Sequence, residues 1–358
     1  MSKNINEFLI KAGQPLIDAI KMIDKNARGI VLVVDDQKRM VGTLTDGDIR
    51  RAIIQHIDLN DAVENIARNK SGMYAKPITA RMGTDTDTLV QMMNSYFIKQ
   101  IPLIDDQGRV VDIVTWEDLI PEGEAELVGV VMAGGFGRRL EPLTFEKPKP
   151  MLEIGGKPLI ELILLKLKKG GIRDVYVTAH YKSEAIIEHL GDGQKIGLSI
   201  KYIKEEVPLG TAGALRLLPT LNKPLVVMNG DVLTSTDIRA VWLAHKSSEA
   251  DMTVAVREHI LTIPYGVVDL VDNRVLSLEE KPQVRKFINA GIYIINPGML
   301  NDIPENTRFD MTDLIKLALR SGKKVASFPI IDYWIDIGHI QDYEKANEDF
   351  EKGKLDLD

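Results

Sequence analysis

From residue 128 onward, aliphatic runs alternate with amphipathic segments. "LVGVVMA" is apolar on both faces, as in a buried strand of a mostly parallel sheet. "PLIELILLKLKKGG" follows as a helix with proline near its start and glycine at its end. The alternation continues through "DVYVTA", "SEAIIEHL", "SIKYI", "TAGALRLL" and "PLVVMNGD". It predicts an α/β fold with a mostly parallel, doubly wound sheet. Ligands of such sheets bind beyond the carboxyl ends of the strands, which directs attention to the loops after Met132 and Met228.

The loop after Met132, "AGGFGRRLEPLTFEKPKPM", is rich in glycine, cations and proline. Gly134, Gly135 and Gly137 allow positive φ and a close approach of backbone N–H groups to an anion. Arg139 and Lys149 add positive charge suited to phosphate oxygens. The loop contains neither G-x-x-x-x-G-K-[ST] nor G-x-G-x-x-G, so it indicates neither a P-loop nor a dinucleotide fold. A glycine cluster alone is more often a turn.

The longer string resembles a specific family signature. Residues 133–151 are similar to the G-G-x-G-[TS]-R-L-x-P-L-T-x-x-x-P-K-x-M motif of sugar-1-phosphate nucleotidylyltransferases, although Arg138 stands where the family usually has Thr or Ser. "PLGTAGAL", "MNGDVL", "EEKP", "NAGIYI" and "WIDIGHIQDY" follow in the family's order, so the resemblance covers residues 128–350. It implies a Rossmann-like, GT-A-like sheet. It also implies transfer of a nucleoside monophosphate from an NTP, with GTP favoured, to a hexose- or hexosamine-1-phosphate, with release of pyrophosphate.

The resemblance also implies a set of site residues. The catalytic group would be Arg139, Lys149 and Asp231, with Mg²⁺ held by Asp231 and Asp336. Asp231 also stands out by itself, because a carboxylate at the end of a buried strand is costly without a cation. Taken alone, Lys281 before a proline is typical of an exposed turn, and Thr211 of a helix start. The implied nucleotide and sugar contacts are Ala133, Gly134, Gly135, Gly137, Arg138, Gly210, Thr211, Gly213, Glu280, Lys281, Asn289 and Gly291.

The first 120 residues contain an internal repeat with a constant offset of 70 residues. "VDDQ" from Val34 recurs as "IDDQ" from Ile104, and Thr45 and Asp48 recur as Thr115 and Asp118. Each copy predicts an amphipathic helix (residues 16–26 and 88–96), two short strands joined by a polar turn, and a Thr-x-x-Asp that opens a further helix. Neither copy can bury a full core alone, so we expect them to pack as one α+β domain.

This repeat resembles a cystathionine-β-synthase-type (CBS) domain pair. The predicted pair spans residues 1–121, with repeats at about 8–60 and 75–120, followed by a linker at 122–127 and a nucleotidylyltransferase domain at 128–358. The resemblance implies an adenosine nucleotide bound by Thr45, Asp48, Thr115 and Asp118. The alternative is that each Thr-x-x-Asp is a plain helix N-cap and that the pair serves as a spacer or dimerises. A homodimer or higher homo-oligomer is expected.

Composition narrows the alternatives. A net charge of −7 excludes a protein that coats nucleic acid, which needs a basic surface. The absence of cysteine excludes disulfides and thiolate metal sites, and with the lack of a signal-peptide pattern or a long apolar run it predicts a cytoplasmic protein without membrane contact. The six histidines form no H-x-x-x-H pair that would predict zinc. Three alternatives remain: a catalytically silent nucleotide sensor, a uridylyl- or thymidylyltransferase, and a glycosyltransferase, whose D-x-D motif is missing.

Overall fold

The computed structural model describes residues 4–70, 74–120, 123, 125–135, 137–180 and 182–355. The chain divides into two compact units, Met1–Pro121 and Glu122–Asp358. Of the predicted linker, Glu122 and Glu124 lie outside the described residues. Within the described residues, no helix combines the length and the apolar composition that crossing a membrane requires.

The first unit contains two copies of one small α/β pattern. Its elements are β1 (Leu9–Lys11), α1 (Leu16–Asn26), β2 (Ile30–Val34), β3 (Met40–Thr45), α2 (Asp46–Ile54), α3 (Val63–Arg68), β4 (Ala80–Arg81), α4 (Thr86–Tyr96), β5 (Gln100–Ile104), β6 (Val110–Thr115) and α5 (Trp116–Leu119). Sheets β1-β2-β3 and β4-β5-β6 each join a parallel to an antiparallel pair, so the two copies have the same strand topology.

The repeat copies are joined by a shared core and by backbone contacts. Val110 and Ile113 of the second copy pack with Leu32 and Val34 of the first, and all four side chains are buried. Helix α1 has the predicted bounds. Helix α4 begins two residues before the predicted start, because the Asp85 side chain accepts the Thr88 N–H and thereby caps the helix at Asp85.

The second unit is built on a seven-stranded sheet. Its elements are β7 (Val128–Met132), β8 (Glu153–Ile154), β9 (Lys157–Pro158), α6 (Leu159–Lys169), β10 (Asp174–Ala179), α7 (Ser183–Leu190), β11 (Ser199–Lys204), α8 (Gly210–Gly213), β12 (Leu225–Asn229), β13 (Val232–Thr234), α9 (Ile238–Ser247), β14 (Met252–Thr262), β15 (Gly266–Val271), β16 (Arg274–Glu280), β17 (Gln283–Ile295), α10 (Met311–Arg320), β18 (Val325–Ile330), β19 (Trp334–Asp336) and α11 (Ile340–Glu351).

The sheet order is β11-β10-β7-β12-β17-β14-β18. Strands β11, β10, β7 and β12 run parallel, as do β14 and β18, and β17 runs antiparallel to both of its neighbours. The mostly parallel α/β fold is therefore confirmed. The predicted helix in "TAGALRLL" is shorter than expected: α8 is one turn, followed by a 3₁₀ turn at Ala214–Leu217. Gly210 and Gly213, which are poor helix formers, occupy both ends of that turn.

Candidate active site

The two predicted loops meet where β7 and β12 end side by side. Asn229 pairs with Met132 in the parallel register, and the Gly230 N–H donates to the Met132 carbonyl at 2.9 Å. A methyl group at Gly230 would lie 2.6 Å from that carbonyl oxygen and 3.3 Å from Ala133 Cα. Glycine is thus required for the two strand ends to approach, and it places Asp231 beside the glycine-rich loop.

Asp231 and Asp336 are brought together by the pairing of β13 with β19. Val232 stands opposite Asp336, and the Ile337 N–H donates to the Asp231 carbonyl at 2.9 Å. Desolvation of its carboxyl group, and then the charge of Asp231, raise the pKa of Asp336 above its usual range, although Lys149 and Arg139 oppose the rise. Two carboxylates and two cations therefore share one site.

Lys149 forms the tightest contact in this cluster. Its Nζ lies 2.5 Å from Asp231 Oδ2, with the two side chains only 11% and 24% exposed. Gly137, at φ +69°, lets the loop fold over this lysine, because a methyl group there would lie 3.0 Å from Lys149 Cβ. Arg139 is exposed, and its side chain also approaches the aspartate pair. Its Nη1 lies 3.8 Å from the position that a Cβ on Gly338, two residues after Asp336, would occupy.

The carboxylates fit a divalent cation bound together with phosphate. Asp231 Oδ1 is buried and has no hydrogen-bond partner among the described residues, so it is an acceptor that a bound cation would satisfy. Among the described residues, no group of three or more His, Cys, Asp or Glu side chains could hold a metal. Asp231 and Asp336 would therefore give a divalent cation two carboxylate ligands, and the cation would need further oxygen ligands.

The three glycines of the loop are required for different structural reasons. Of the three, only Gly137 uses the positive φ that glycine allows; Gly134 and Gly135 do not. Gly134 is needed for close approach instead, since a methyl group there would lie 2.6 Å from Glu205 Oε1, whereas Gly135 faces open space. Ala133 is buried and Arg138 is exposed. Their roles toward a ligand stay predictions.

Glu205, which the sequence analysis did not select, is a buried carboxylate beside this loop. Its Oε2 accepts the Leu209 N–H at 2.9 Å, and the His180 Nδ1 lies 2.8 Å from its carbonyl oxygen. Burial raises the pKa of Glu205 above its usual range, while the Leu209 N–H and the His180 ring counteract the rise. In sequence it appears only as one of two glutamates in "KEEVP", which gives no sign that it is buried.

The predicted contacts in "PLGTAGAL" pack against the start of α10. The Thr211 N–H donates to Asp310 Oδ1 at 3.1 Å, and the Met311 N–H donates to the Thr211 hydroxyl at 2.8 Å. Gly210, at φ +82°, and Gly213 leave room for the backbone of residues 307–310. Gly210, Thr211 and Gly213 thus have structural roles in this packing. That they also contact a substrate stays a prediction.

Gly291 faces the protein rather than open space. A methyl group there would lie 2.8 Å from Asn229 Nδ2, and its φ is +71°. Asn229, which the sequence analysis also did not select, has a buried Oδ1 without a hydrogen-bond partner among the described residues. The exposed Asn289 side chain accepts a hydrogen bond from the Gly291 N–H at 3.0 Å.

Tyr293 lies near the aspartate pair and has a shifted pKa. Burial and the charge of Asp231 raise the pKa of Tyr293 to about 12, and a hydrogen bond from Asn289 opposes this rise.

Glu280 and Lys281 lie at the end of an exposed hairpin. Glu280 pairs with Gly266 in β15, and the Lys281 N–H donates to the Tyr265 carbonyl at 3.3 Å. Within the described residues, no hydrogen bond or ion pair joins either side chain to the aspartate pair. The structure thus does not bring them into the cluster, and their contact with a sugar phosphate stays a prediction.

The four predicted CBS ligand residues form helix caps in the first unit. The Thr45 hydroxyl and N–H both donate to Asp48 Oδ2, at 2.8 and 2.9 Å, and Asp48 also pairs with Lys70 and Arg51. Thr115 and Asp118 repeat the capping box at α5, with distances of 2.9 and 2.7 Å. The N-cap explanation accounts for these contacts, and a nucleotide at either position stays a prediction.

Both units of the chain are similar to known proteins. Residues 128–353 match the family model described as nucleotidyl transferase, and residues 1–55 and 63–125 match the CBS domain. D-glycero-α-D-manno-heptose 1-phosphate guanylyltransferase of Aneurinibacillus thermoaerophilus is 35% identical over 227 residues, which cover 62% of this chain and 97% of that protein. The crystal structure of HddC from Yersinia pseudotuberculosis is 29% identical, with a TM-score of 0.50, and the match covers 63% of this chain and 99% of that one.

Longer relatives match over the same region. Mannose-1-phosphate guanylyltransferase of Mycobacterium tuberculosis is 32% identical over 231 residues, which cover 63% of this chain and 64% of the relative. Mannose-1-phosphate guanyltransferase of Pichia angusta is 33% identical over 225 residues, which cover 60% and 62%. The chain thus spans less than two thirds of the length of these mannose-1-phosphate relatives.

Proposed function

The chain belongs to the nucleotidyl transferase family, and on that premise we propose that it joins an NTP and a sugar-1-phosphate into a nucleotide sugar. An oxygen of the sugar-1-phosphate forms a bond to the α-phosphorus of the NTP. The bond from that phosphorus to the β-phosphate bridging oxygen breaks, and pyrophosphate leaves with the electron pair. No proton transfer is needed, so the protein acts by positioning the two anions and by neutralising their charge.

The observation that carries this proposal is the buried, unpartnered Asp231 Oδ1 beside Asp336. Members of this family generally use a divalent metal. We assign Mg²⁺ to these two carboxylates, where it would neutralise charge on the phosphates. Lys149, now paired with Asp231, and Arg139 supply the further positive charge that two approaching anions need.

Guanine is the base that the buried Glu205 favours. A carboxylate accepts hydrogen bonds only, and guanine presents two adjacent donors, N1–H and the N2 amine. Uracil and thymine present one donor flanked by acceptors, which a carboxylate repels. The guanylyltransferase relatives support the same base.

The sugar and the regulation are proposed more broadly. The relatives named for heptose- and mannose-1-phosphate support an aldose-1-phosphate acceptor, with Glu280 and Lys281 as its proposed contacts. CBS domains typically bind adenosine nucleotides, so we assign the first unit a regulatory role with Thr45, Asp48, Thr115 and Asp118 as its proposed site. NTPs are supplied in the cytoplasm, where we place the reaction.

Pyrophosphate release by Asp231→Asn tests the reaction. The substitution removes the charge and keeps the volume, so kcat should fall by about 10²–10³-fold while the fold is retained. Asp174→Asn is the matched control, because Asp174 is exposed at the start of β10, whereas Asp231 follows the end of β12, a parallel strand of the same sheet. Turnover near that of the unmodified protein in Asp231→Asn would contradict the metal assignment.

Nucleotide selectivity of Glu205→Gln tests the base. The amide replaces one acceptor by a donor, so the kcat/KM ratio of GTP to UTP or dTTP should fall by about 10–100-fold, the value of a hydrogen bond to a charged group. The exposed Glu206→Gln should leave the ratio unchanged. An unchanged ratio in Glu205→Gln would refute the base assignment without touching the reaction class.

A further inference from the structure

Asp336 lies on a strand that is too short to fix its own position. Strand β19 has three residues. Its pairing with β13 joins Val232 with Asp336, Leu233 with Ile335 and Thr234 with Trp334. A slip of one residue in this pairing would turn the side chain of Asp336 to the other face of the two strands. The contacts that hold the far end of β19 therefore decide where this carboxylate stands.

Tyr333, the residue before β19, fixes this far end through its backbone. The Tyr333 carbonyl accepts hydrogen bonds from the Thr234 hydroxyl at 2.8 Å and from the Ser235 N–H at 3.1 Å. The Tyr333 N–H donates to the Ser235 hydroxyl at 3.1 Å. Three hydrogen bonds thus join the two segments at one end, and the bond from the Ile337 N–H to the Asp231 carbonyl joins them at the other.

The side chain of Tyr333 connects the same end to helix α11. Its hydroxyl donates to Asp349 Oδ2 at 3.3 Å, and Asp349 is only 6% exposed. Desolvation of the hydroxyl and the charge of Asp349 raise the pKa of Tyr333, so the hydroxyl stays protonated and can donate. Lys354 Nζ donates to the other carboxylate oxygen at 3.1 Å. Loss of the tyrosine hydroxyl would therefore remove a partner from a buried charged group, which is costly.

Helix α11 also supports the segment that follows Lys149. The Tyr343 hydroxyl donates to the Glu153 carbonyl at 2.8 Å. The ring of Phe350 occupies the space in which a side chain at position 155 would stand, and Gly155 leaves that space open. One helix therefore holds both β19 and the chain just after the cation that pairs with Asp231.

The chain on either side of Tyr333 has further attachments that do not involve α11. Arg257 Nη1, on β14, donates to the carbonyls of Ile330 and Asp332 at 3.0 and 2.6 Å. Trp334 Nε1 donates to the Ala290 carbonyl of β17 at 2.9 Å. Because these bonds remain when the Tyr333 hydroxyl is removed, its loss should shift β19 without unfolding the segment.

We propose that Tyr333 is a positioning residue for the aspartate pair and acts through its hydroxyl bond to Asp349. This role rests on the proposed function, in which Asp231 and Asp336 bind Mg²⁺. The ion requires near-ideal octahedral geometry with oxygen ligands at about 2.0–2.1 Å. A small displacement of β19 therefore weakens metal binding although the charges of the site are unchanged.

The metal-dependent part of GTP binding tests this role without turnover. The Kd of GTP for the full chain would be measured by calorimetry in excess Mg²⁺ and in EDTA, with no sugar phosphate present. The ratio of the Kd in EDTA to the Kd in Mg²⁺ reports how well the site holds the metal. In Tyr333→Phe this ratio should fall by about 10-fold, the usual loss when a support of a metal ligand is removed, and the Kd in EDTA should not change.

Two further variants separate positioning from a general loss of stability. Tyr202→Phe is the matched control, because the Tyr202 hydroxyl also makes one hydrogen bond, to the Gly191 carbonyl at 2.6 Å, on the edge strand β11. It should leave the ratio unchanged. Asp349→Ala should lower the ratio, and adding Tyr333→Phe to it should lower the ratio no further, because both changes break the same bond.

The outcomes distinguish this role from the proposed function itself. A ratio that is unchanged in Tyr333→Phe but reduced in Asp231→Asn would overturn the positioning role and leave the metal assignment in place. An equal fall in Tyr202→Phe, or additive effects of Tyr333→Phe and Asp349→Ala, would also overturn it. A ratio that Asp231→Asn leaves unchanged would refute the metal assignment and the positioning role together.

Discussion

Gly230→Ala should damage the fold and the site together. Gly230 lies between β12 and Asp231, where a methyl group would stand 2.6 Å from the Met132 carbonyl oxygen. Neither atom is at the end of a flexible side chain, so one of the two strand ends must move. That movement also lengthens the 2.9 Å hydrogen bond from the Gly230 N–H to Met132.

The expected magnitude follows from these two contacts. Overpacking a well-filled site costs about 1–3 kcal/mol, and a backbone hydrogen bond contributes about 0.5–1.5 kcal/mol. The free energy of unfolding should therefore fall by about 2–4 kcal/mol, which lowers Tm by about 4–16 °C in a unit of this size. Because Asp231 shifts by a fraction of an ångström to an ångström, kcat should fall by about 10–100-fold.

Thermal unfolding followed by circular dichroism, together with pyrophosphate release, measures both effects. Gly298→Ala is the matched control, because Gly298 has no atom within 4 Å of its Cβ position and does not adopt positive φ. A Gly230→Ala protein whose Tm stays within about 2 °C of the control and whose kcat is normal would refute the reasoning.

Three further substitutions test neighbouring residues. Lys149→Met should lower kcat by about 10²-fold in the pyrophosphate assay, since it removes the charge 2.5 Å from Asp231. Asp336→Asn should abolish turnover yet raise the Tm of the metal-free protein at neutral pH. The raised pKa of Asp336 means that folding is penalised once the carboxyl ionises, so the Tm difference should grow as pH rises from below 3.8 through the folded-state pKa. Gly291→Ala, at φ +71° and against Asn229, should lose about 1–2 kcal/mol in chemical denaturation.

Regular elements were predictable because their signal is local. The strand at residues 174–179 and the helix at 183–190 have the predicted bounds, since aliphatic runs and helical spacing mark both. The sequence also indicated the loops after Met132 and Met228 as ligand-binding positions. That these loops meet is visible only in the structure, where β7 and β12 are neighbouring parallel strands. The length of the short helix α8 was overestimated from sequence. Its two glycines are held by tertiary contacts with residues 307–310, which the sequence does not show.

The rest depends on contacts between distant segments. Nothing in the sequence marks Glu205 or Asn229 as a site residue. The burial of the Glu205 carboxylate and the unpartnered amide oxygen of Asn229 become visible only when the loops are packed together. Glycine is required at position 134 because the Glu205 side chain approaches closely, and not because the backbone needs conformational freedom there. The proximity of Asp231 to Asp336 was implied by resemblance alone, and its physical cause is the short antiparallel pairing of β13 with β19.

Pyrophosphate release by the full chain with Mg²⁺ is the most direct test of the proposed function. GTP, ATP, UTP, CTP and dTTP would each be offered with glucose-, mannose-, glucosamine-, N-acetylglucosamine- and heptose-1-phosphate. Release is expected with GTP and a single preferred sugar phosphate, and it should be about 10²–10³-fold slower in Asp231→Asn. A folded protein that binds nucleotide but releases no pyrophosphate with any pair would contradict the transferase, and a clear preference for UTP or dTTP would contradict the role of Glu205.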